Sequence, residues 1–233
     1  MLMDIFSSFD EQNCNIFSFF FPVWFFSFFL MWFFFSFYWW GYSRFFSFFY
    51  FFVDFIYSQL VRSFGKSLLG FSCFLSCLFL FVLFMNFLGL VPYVFSQTSH
   101  LIVTFSLSFI IWFSFLVSGI FYNYYSFFSH FLPVGAPGVL NPFLVLVESV
   151  SVGVRPITLS VRLAANMGAG HIVIGLVGTY MSSGFFVFPW LVFFLMFFFQ
   201  VFYFIFEFGI STIQAYIFSL LLVLYSDEHP SSV

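Results

Sequence analysis

Long apolar runs alternate with short polar or proline-containing segments along this chain, and their lengths predict its elements. Residues 16–40, 67–91 and 100–122 are each long enough to cross ~30 Å of hydrocarbon at the helical rise of ~1.5 Å per residue. Residues 141–182 and 185–226 are compatible with two helices of about forty residues, or ~60 Å. Such helices must tilt steeply, bend or extend beyond a bilayer.

Composition and charge determine the class. The chain is 64% hydrophobic and only 6% charged, whereas soluble domains average about a quarter charged residues. The alternation typical of a membrane barrel is missing. We therefore predict an all-α polytopic membrane protein, a single membrane domain over residues 1–233 with about five transmembrane helices. Its last two helices, residues 141–182 and 185–226, form a long, steeply tilted hairpin.

Residues 44–66 predict one further element, an interfacial amphipathic helix, because three of the five cations lie there among aromatic residues. These cations lie between the first and second spans, so the positive-inside rule places that side in the inner compartment. The N-terminus is then expected outside and the C-terminus inside.

Several ionisable residues lie inside the final hairpin. Placing each of them in the membrane costs at least ~2.5–3.5 kcal/mol on insertion scales, so they indicate an ion pathway or a charged binding partner. Glu148, Arg155 and Arg162 are spaced by seven and share one helix face, which Asn166 joins four residues later. His171, nine residues after Arg162, lies ~180° around the helix and faces away from it.

Antiparallel pairing of the hairpin predicts two polar clusters on opposite sides of Arg162. With the turn near residues 183–189, Arg162 lies within about one helical turn of the depth of Gln214. The outer cluster is His171 with Glu207, and the inner cluster is Glu148 with Asp227 and Glu228.

Small residues between Ala164 and Gly178 allow another helix to approach closely. That helix is either one of this chain or one of a separate partner.

Several motifs carry a resemblance to a known family. LVESVSVGVRPITLSVRLAANMGAGH, followed by FEFGISTIQAYIFSLLLVLY, resembles subunit a of F-type ATP synthases of the mitochondrially encoded type. NFLGLVPYVFSQTSHL and FLPVGAPGVLNP are similar to the same family. The resemblance covers residues from about 67 to the C-terminus.

The resemblance implies a proton-translocating stator in which Arg162, with Asn166 and Gln214 nearby, faces the carboxylates of a rotating c-subunit ring. It implies an outer half-channel at His171 and Glu207. It also implies an inner half-channel, whose residues are Glu148, Asp227 and Glu228.

The resemblance also implies partners and a location. The expected partners are the c-ring, other Fo and peripheral-stalk subunits, membrane lipids such as cardiolipin, and protons as the transported ion. The expected location is the mitochondrial inner membrane, with the N-terminus toward the intermembrane space and the C-terminus toward the matrix. No cofactor, metal or nucleic acid is expected. The chain contains no P-loop, so it is not expected to be catalytic alone.

Arg155 departs from the family pattern, in which its position is often uncharged. Three roles are open for it: neutralising Glu148, neutralising the C-terminal acids, or binding anionic lipid head groups.

Two other functions compete with the stator, a secondary transporter and an antiporter-like subunit of a respiratory complex. The first lacks a visible inverted repeat. The second would need buried Lys–Glu pairs, and Lys66 is the only lysine.

Overall fold

The computed structural model describes residues 44–68, 70–91, 96–129, 131, 140–184 and 189–230. Within these ranges every regular element is helical. The helices are α1 (Arg44–Val61), α2 (Phe71–Leu90), α3 (Leu101–Tyr122), α4 (Tyr124–Ser129), α5 (Asn141–Gly184) and α6 (Trp190–Asp227), with short 3-10 turns at Phe64–Ser67 and Gln97–Ser99.

Among the described residues, four helices are long and apolar enough to cross a membrane: α2, α3, α5 and α6. The expected all-α, polytopic class is confirmed. The first predicted span, residues 16–40, lies outside the described residues. The predicted interfacial segment, residues 44–66, contains α1 and most of the 3-10 turn that follows it.

Helix α2 provides much of the core of the bundle. It packs against α6 and α1, and its side chains are apolar around most of the helix. Leu75, Phe79 and Leu83 on α2 are at most 3% exposed. Ile56 and Leu60 of α1 join the same cluster, while Phe51 and Tyr57 on the other side of α1 stay exposed. A helix that is apolar on all sides is stable where neighbours surround it.

Helix α5 continues through Pro156, which the sequence analysis did not consider. A proline inside a helix removes one backbone hydrogen bond and crowds the preceding turn. The Ser108 hydroxyl of α3 lies 3.1 Å from the Pro156 carbonyl and donates to it. This contact joins α3 to α5 six residues before Arg162.

Candidate functional site

Three contacts between α5 and α6 define how the two long helices pair. Gly170 lies against the carboxylate of Glu207. Four residues earlier on α5, the Asn166 side-chain amide donates to Oε1 of Gln214 at 2.8 Å. Further toward the start of α5, the Arg155 guanidinium contacts the Glu228 carboxylate. Positions on α6 rise as positions on α5 fall, so the helices run antiparallel.

Arg162 lies between these contacts and is exposed on the surface of α5. Within the part of the chain that the structure describes, no carboxylate lies within ion-pair distance of Arg162. Ala165 and Ala169, one and two turns further along the same face, are also exposed. Arg162 therefore lies on an open helix surface with small side chains on its C-terminal side.

Glu207 is the deeply buried acid of the hairpin, with only 3% of its surface exposed. The Tyr203 hydroxyl, one turn earlier on α6, donates to Oε1 of Glu207 at 2.9 Å. A Cβ atom built on Gly170 would overlap the Glu207 carboxylate. Glycine at position 170 is thus required by the approach of a carboxylate from the same chain.

His171 follows Gly170 directly and is half-buried, so its backbone lies at the level of Glu207. On α2, Asn86 is fully buried, and its amide donates to the Ser211 carbonyl at 3.3 Å, one turn beyond Glu207 on α6. Asn86 was not among the site residues predicted from the sequence. A single amide inside the apolar run of residues 67–91 was the available signal.

Arg155 is the centre of a second polar cluster. Its Nη2 lies 3.9 Å from Oε1 of Glu148, and its Nη1 contacts Glu228. Its guanidinium carbon lies 5.2 Å from the centroid of the Tyr225 ring, a cation–π distance. Arg155 therefore contacts Glu148 and also the C-terminal acid Glu228, which are the partners of two of its three open roles. Asp227, half-buried, ends α6 one residue before Glu228.

The small residues of α5 divide between two surroundings. Ala164 and Gly170 are buried against the chain itself, whereas Ala165, Ala169 and Gly175 are exposed. A Cβ on Gly175 would meet no atom of the described chain within 4 Å. Close approach within the chain is therefore observed at Ala164 and Gly170, while approach by a separate partner at the exposed positions stays a prediction.

These features define a class of protein: a polytopic helical membrane protein whose buried and paired ionisable side chains cluster on one helical hairpin. The profile of a known family, described as ATP synthase A chain, matches residues 15–227 of this chain. The chain belongs to that family, and the match confirms the resemblance drawn from its motifs.

Individual relatives agree. ATP synthase subunit a of Artemia franciscana is 40% identical over 171 residues, which cover 70% of this chain and 73% of the relative. The same subunit of Locusta migratoria is 40% identical over 174 residues, covering 74% and 76%. That of Albinaria caerulea is 40% identical over 156 residues, covering 67% and 72%.

Proposed function

We propose that this chain is the proton-translocating stator subunit of the Fo motor of a mitochondrial ATP synthase. In this proposal Arg162 faces the carboxylates of the c-ring, and two offset aqueous half-channels deliver protons to the ring and remove them. The chain itself catalyses no bond formation. It lies in the inner membrane, with its N-terminus toward the intermembrane space and its C-terminus toward the matrix.

The observation that carries the proposal is the placement of Arg162 between two separate polar clusters. Arg162 is seven residues from Arg155 and eight from Gly170, or about 10 Å and about 12 Å along a helix. A proton that enters at one cluster must pass an arginine to reach the other. Because a guanidinium stays protonated, it cannot relay that proton. A group outside this chain must therefore carry the proton past Arg162.

A ring carboxylate is suited to be that carrier. Next to Arg162 its ionised form is favoured, because an opposite charge a few ångströms away stabilises it. Away from Arg162 the carboxylate must be protonated, since an ionised group facing lipid is costly. The exposed Ala165 and Ala169 would let a helix of the ring approach the guanidinium closely.

The proposed roles follow the two clusters. His171 and Glu207 form the outer half-channel, on the side of Arg162 that leads toward the α5–α6 turn. Glu148, Asp227 and Glu228 form the inner half-channel, at the opposite end of the hairpin. Asn166 and Gln214, hydrogen-bonded to each other, lie between Arg162 and the outer cluster. The c-ring, the other Fo and stalk subunits and lipids such as cardiolipin are the proposed partners.

No observation favours the two competing functions. A secondary transporter of the inverted-repeat type binds its substrate where membrane helices are interrupted. Here α5 is continuous over Asn141–Gly184 and α6 over Trp190–Asp227.

The proposal is tested by Arg162→Ala and Arg162→Gln in the complete ATP synthase. Removing a charge-stabilising group from a site of this kind typically costs about 100-fold or more in rate. We expect proton-driven ATP synthesis in reconstituted vesicles to fall by at least that factor while the complex still assembles. Arg62→Gln is the matched control, because Arg62 is an exposed arginine outside the α5–α6 hairpin. Coupled synthesis at the wild-type rate in the assembled Arg162→Ala complex would refute the proposal.

A further inference from the structure

Two polar side chains interrupt the apolar first half of α6. Between Leu191 and Phe206 every residue except Gln200 and Tyr203 is phenylalanine, leucine, valine, isoleucine or methionine. Positions 200, 203 and 207 are separated by three and four residues, so Gln200, Tyr203 and Glu207 share one face of the helix. A line of hydrogen-bonding groups therefore leads from Glu207 toward the start of α6.

This polar line lies against α5. At one end, the Glu207 carboxylate lies against Gly170. At the other end, Nε2 of Gln200 lies 4.0 Å from a Cβ atom built on Gly178. The two glycines are eight residues apart on α5, or about 12 Å. The line thus follows the contact between the two long helices, from Glu207 in the direction of the α5–α6 turn.

Tyr203 is the member of the line that contacts the buried acid. Its hydroxyl donates to Oε1 of Glu207 at 2.9 Å. Its ring centroid lies 6.4 Å from that of Phe199 and 6.2 Å from that of Phe206. Tyr203 is half-buried, whereas Glu207 is 3% exposed. The residue that donates to the buried carboxylate is therefore more accessible than the carboxylate itself.

The chemistry of a phenol differs from that of an amide in this position. A hydroxyl oxygen donates one proton and keeps lone pairs that accept another. It can therefore release a proton on one side while it takes up a proton on the other. The amide of Gln200 can hydrogen-bond to water, but its nitrogen does not exchange protons in this way near neutral pH. Among the polar groups of the line, Tyr203 is thus the one suited to transfer a proton to Glu207.

We propose that the Tyr203 hydroxyl is a proton-transfer group through which Glu207 takes up protons from the side of the α5–α6 turn. The proposal rests on the stator function proposed above. In each uptake step, the hydroxyl proton moves to Oε1 of the ionised Glu207. The hydroxyl oxygen accepts a proton from a hydronium ion on the outer side, which becomes water. Glu207 is then a neutral acid and the hydroxyl is intact. Once Glu207 has passed its proton on, the hydroxyl rotates back and donates to the carboxylate again.

The test begins with Tyr203→Phe in the complete ATP synthase, reconstituted in vesicles. This change removes the hydroxyl and keeps the ring beside Phe199 and Phe206. We expect proton-driven ATP synthesis at neutral outer pH to fall about tenfold. This is less than the ~100-fold or more that a positioned acid–base group typically supplies, because water also carries protons. Tyr180→Phe is the matched control, since Tyr180 is an exposed tyrosine of α5, and it should keep the wild-type rate.

Two further variants separate proton transfer from the positioning of Glu207. Tyr203→Gln keeps a side-chain donor four residues before Glu207, but an amide carries no protons. Tyr203→His supplies a donor together with a nitrogen that titrates near neutral pH. We expect the rate of Tyr203→Gln to be as low as that of Tyr203→Phe. Tyr203→His should recover most of the lost rate.

The dependence of the rate on outer pH gives a readout that a structural role would not move. A slower uptake step is compensated by more protons, so Tyr203→Phe should approach the wild-type maximal rate in acid outer solution. Its half-maximal rate should shift by about one pH unit to lower outer pH, which is the tenfold loss expressed in proton concentration. At the level of Glu207, α5 contributes His171, and one turn further α2 contributes the uncharged amide of Asn86. Both stay unchanged in these variants, so differences between the variants report on position 203.

A wild-type rate in Tyr203→Phe at every outer pH would overturn the proposal. Equal rates for Tyr203→Gln and Tyr203→His would also overturn it, because the hydroxyl would then only hold Glu207 in place. If Tyr203→His does not assemble, Tyr203→Phe decides, and a loss that does not depend on outer pH rejects the transfer role. Arg162→Ala is measured in parallel. An inactive Arg162 variant beside an unaffected Tyr203 variant rejects only the role of Tyr203, whereas an active Arg162 variant rejects the stator function itself.

Discussion

Gly170→Ala should impair proton uptake without unfolding the chain, because the added methyl group meets the Glu207 carboxylate. All three of the nearest atoms to the new Cβ belong to that carboxylate. Glu207 is only 3% exposed and is held by Tyr203. Glu207 must therefore shift to make room, and the hydrogen bond from Tyr203 opposes that shift.

The magnitude follows from overpacking a filled site. An extra methyl group in a well-packed interior costs about 1–3 kcal/mol. If the displaced Glu207 must regain its position for each transfer, this cost corresponds to a roughly 5–150-fold lower rate. Alanine also stabilises a helix interior by about 0.5–1 kcal/mol relative to glycine. This gain offsets part of the loss in stability, so assembly should persist.

The assay is proton-driven ATP synthesis by the reconstituted complex, compared with Gly175→Ala. Gly175 lies in the same helix, but a Cβ there meets nothing in the described chain within 4 Å. That variant should have the wild-type rate. Adding Glu207→Asp to Gly170→Ala withdraws the carboxylate by one methylene and should recover part of the flux. Equal rates for Gly170→Ala and Gly175→Ala would refute the reasoning, as would a defect that Glu207→Asp deepens.

Arg155 and the Asn166–Gln214 pair give two further predictions. Arg155→Gln should keep ATP synthesis within about thirtyfold of wild type, because the two partly exposed ion pairs with Glu148 and Glu228 contribute only about 0–1 kcal/mol each. A loss as large as that of the Arg162 variants would contradict this. Asn166→Ala and Gln214→Ala should not be additive in their effect on the rate, since they remove the same hydrogen bond, which is worth about 0.5–1.5 kcal/mol. Strictly additive defects in a double-mutant cycle would show that the two amides act independently.

The lengths of the apolar runs and the helical period were enough to predict the membrane class and the order of ionisable residues along a helix. The apolar runs predicted the membrane class because crossing hydrocarbon demands a minimum number of apolar residues. The constant rise per residue placed Glu148 and Arg162 in order along α5, since height along a helix depends only on residue number. The position of Glu207 on α6 also needed the assumption of an antiparallel hairpin. The RLAANMGAGH motif together with the later FEFGISTIQAY stretch was enough to identify the family, which the profile match confirmed.

Contacts between helices could not be read in the same way. Arg155 had three open roles because the distance from α5 to the end of α6 depends on how the helices pack. The hydrogen bond between Ser118 and His229 was not predicted because the two residues lie 111 positions apart in the chain, and no periodicity connects them. The buried Asn86 was missed for the same reason: its acceptor, the Ser211 carbonyl, lies 125 residues further along the chain.

Gly170 separates what the sequence determined from what only the tertiary structure decided. As one of several small residues on α5, it was compatible with close approach by this chain or by a partner. Only the tertiary structure shows that Gly170 is needed for Glu207 while Gly175 is open. The sequence determines the face and the height of a side chain because both follow from the geometry of a single helix. Which atoms meet across two helices depends on their rotation and separation, which the packing of the whole bundle decides.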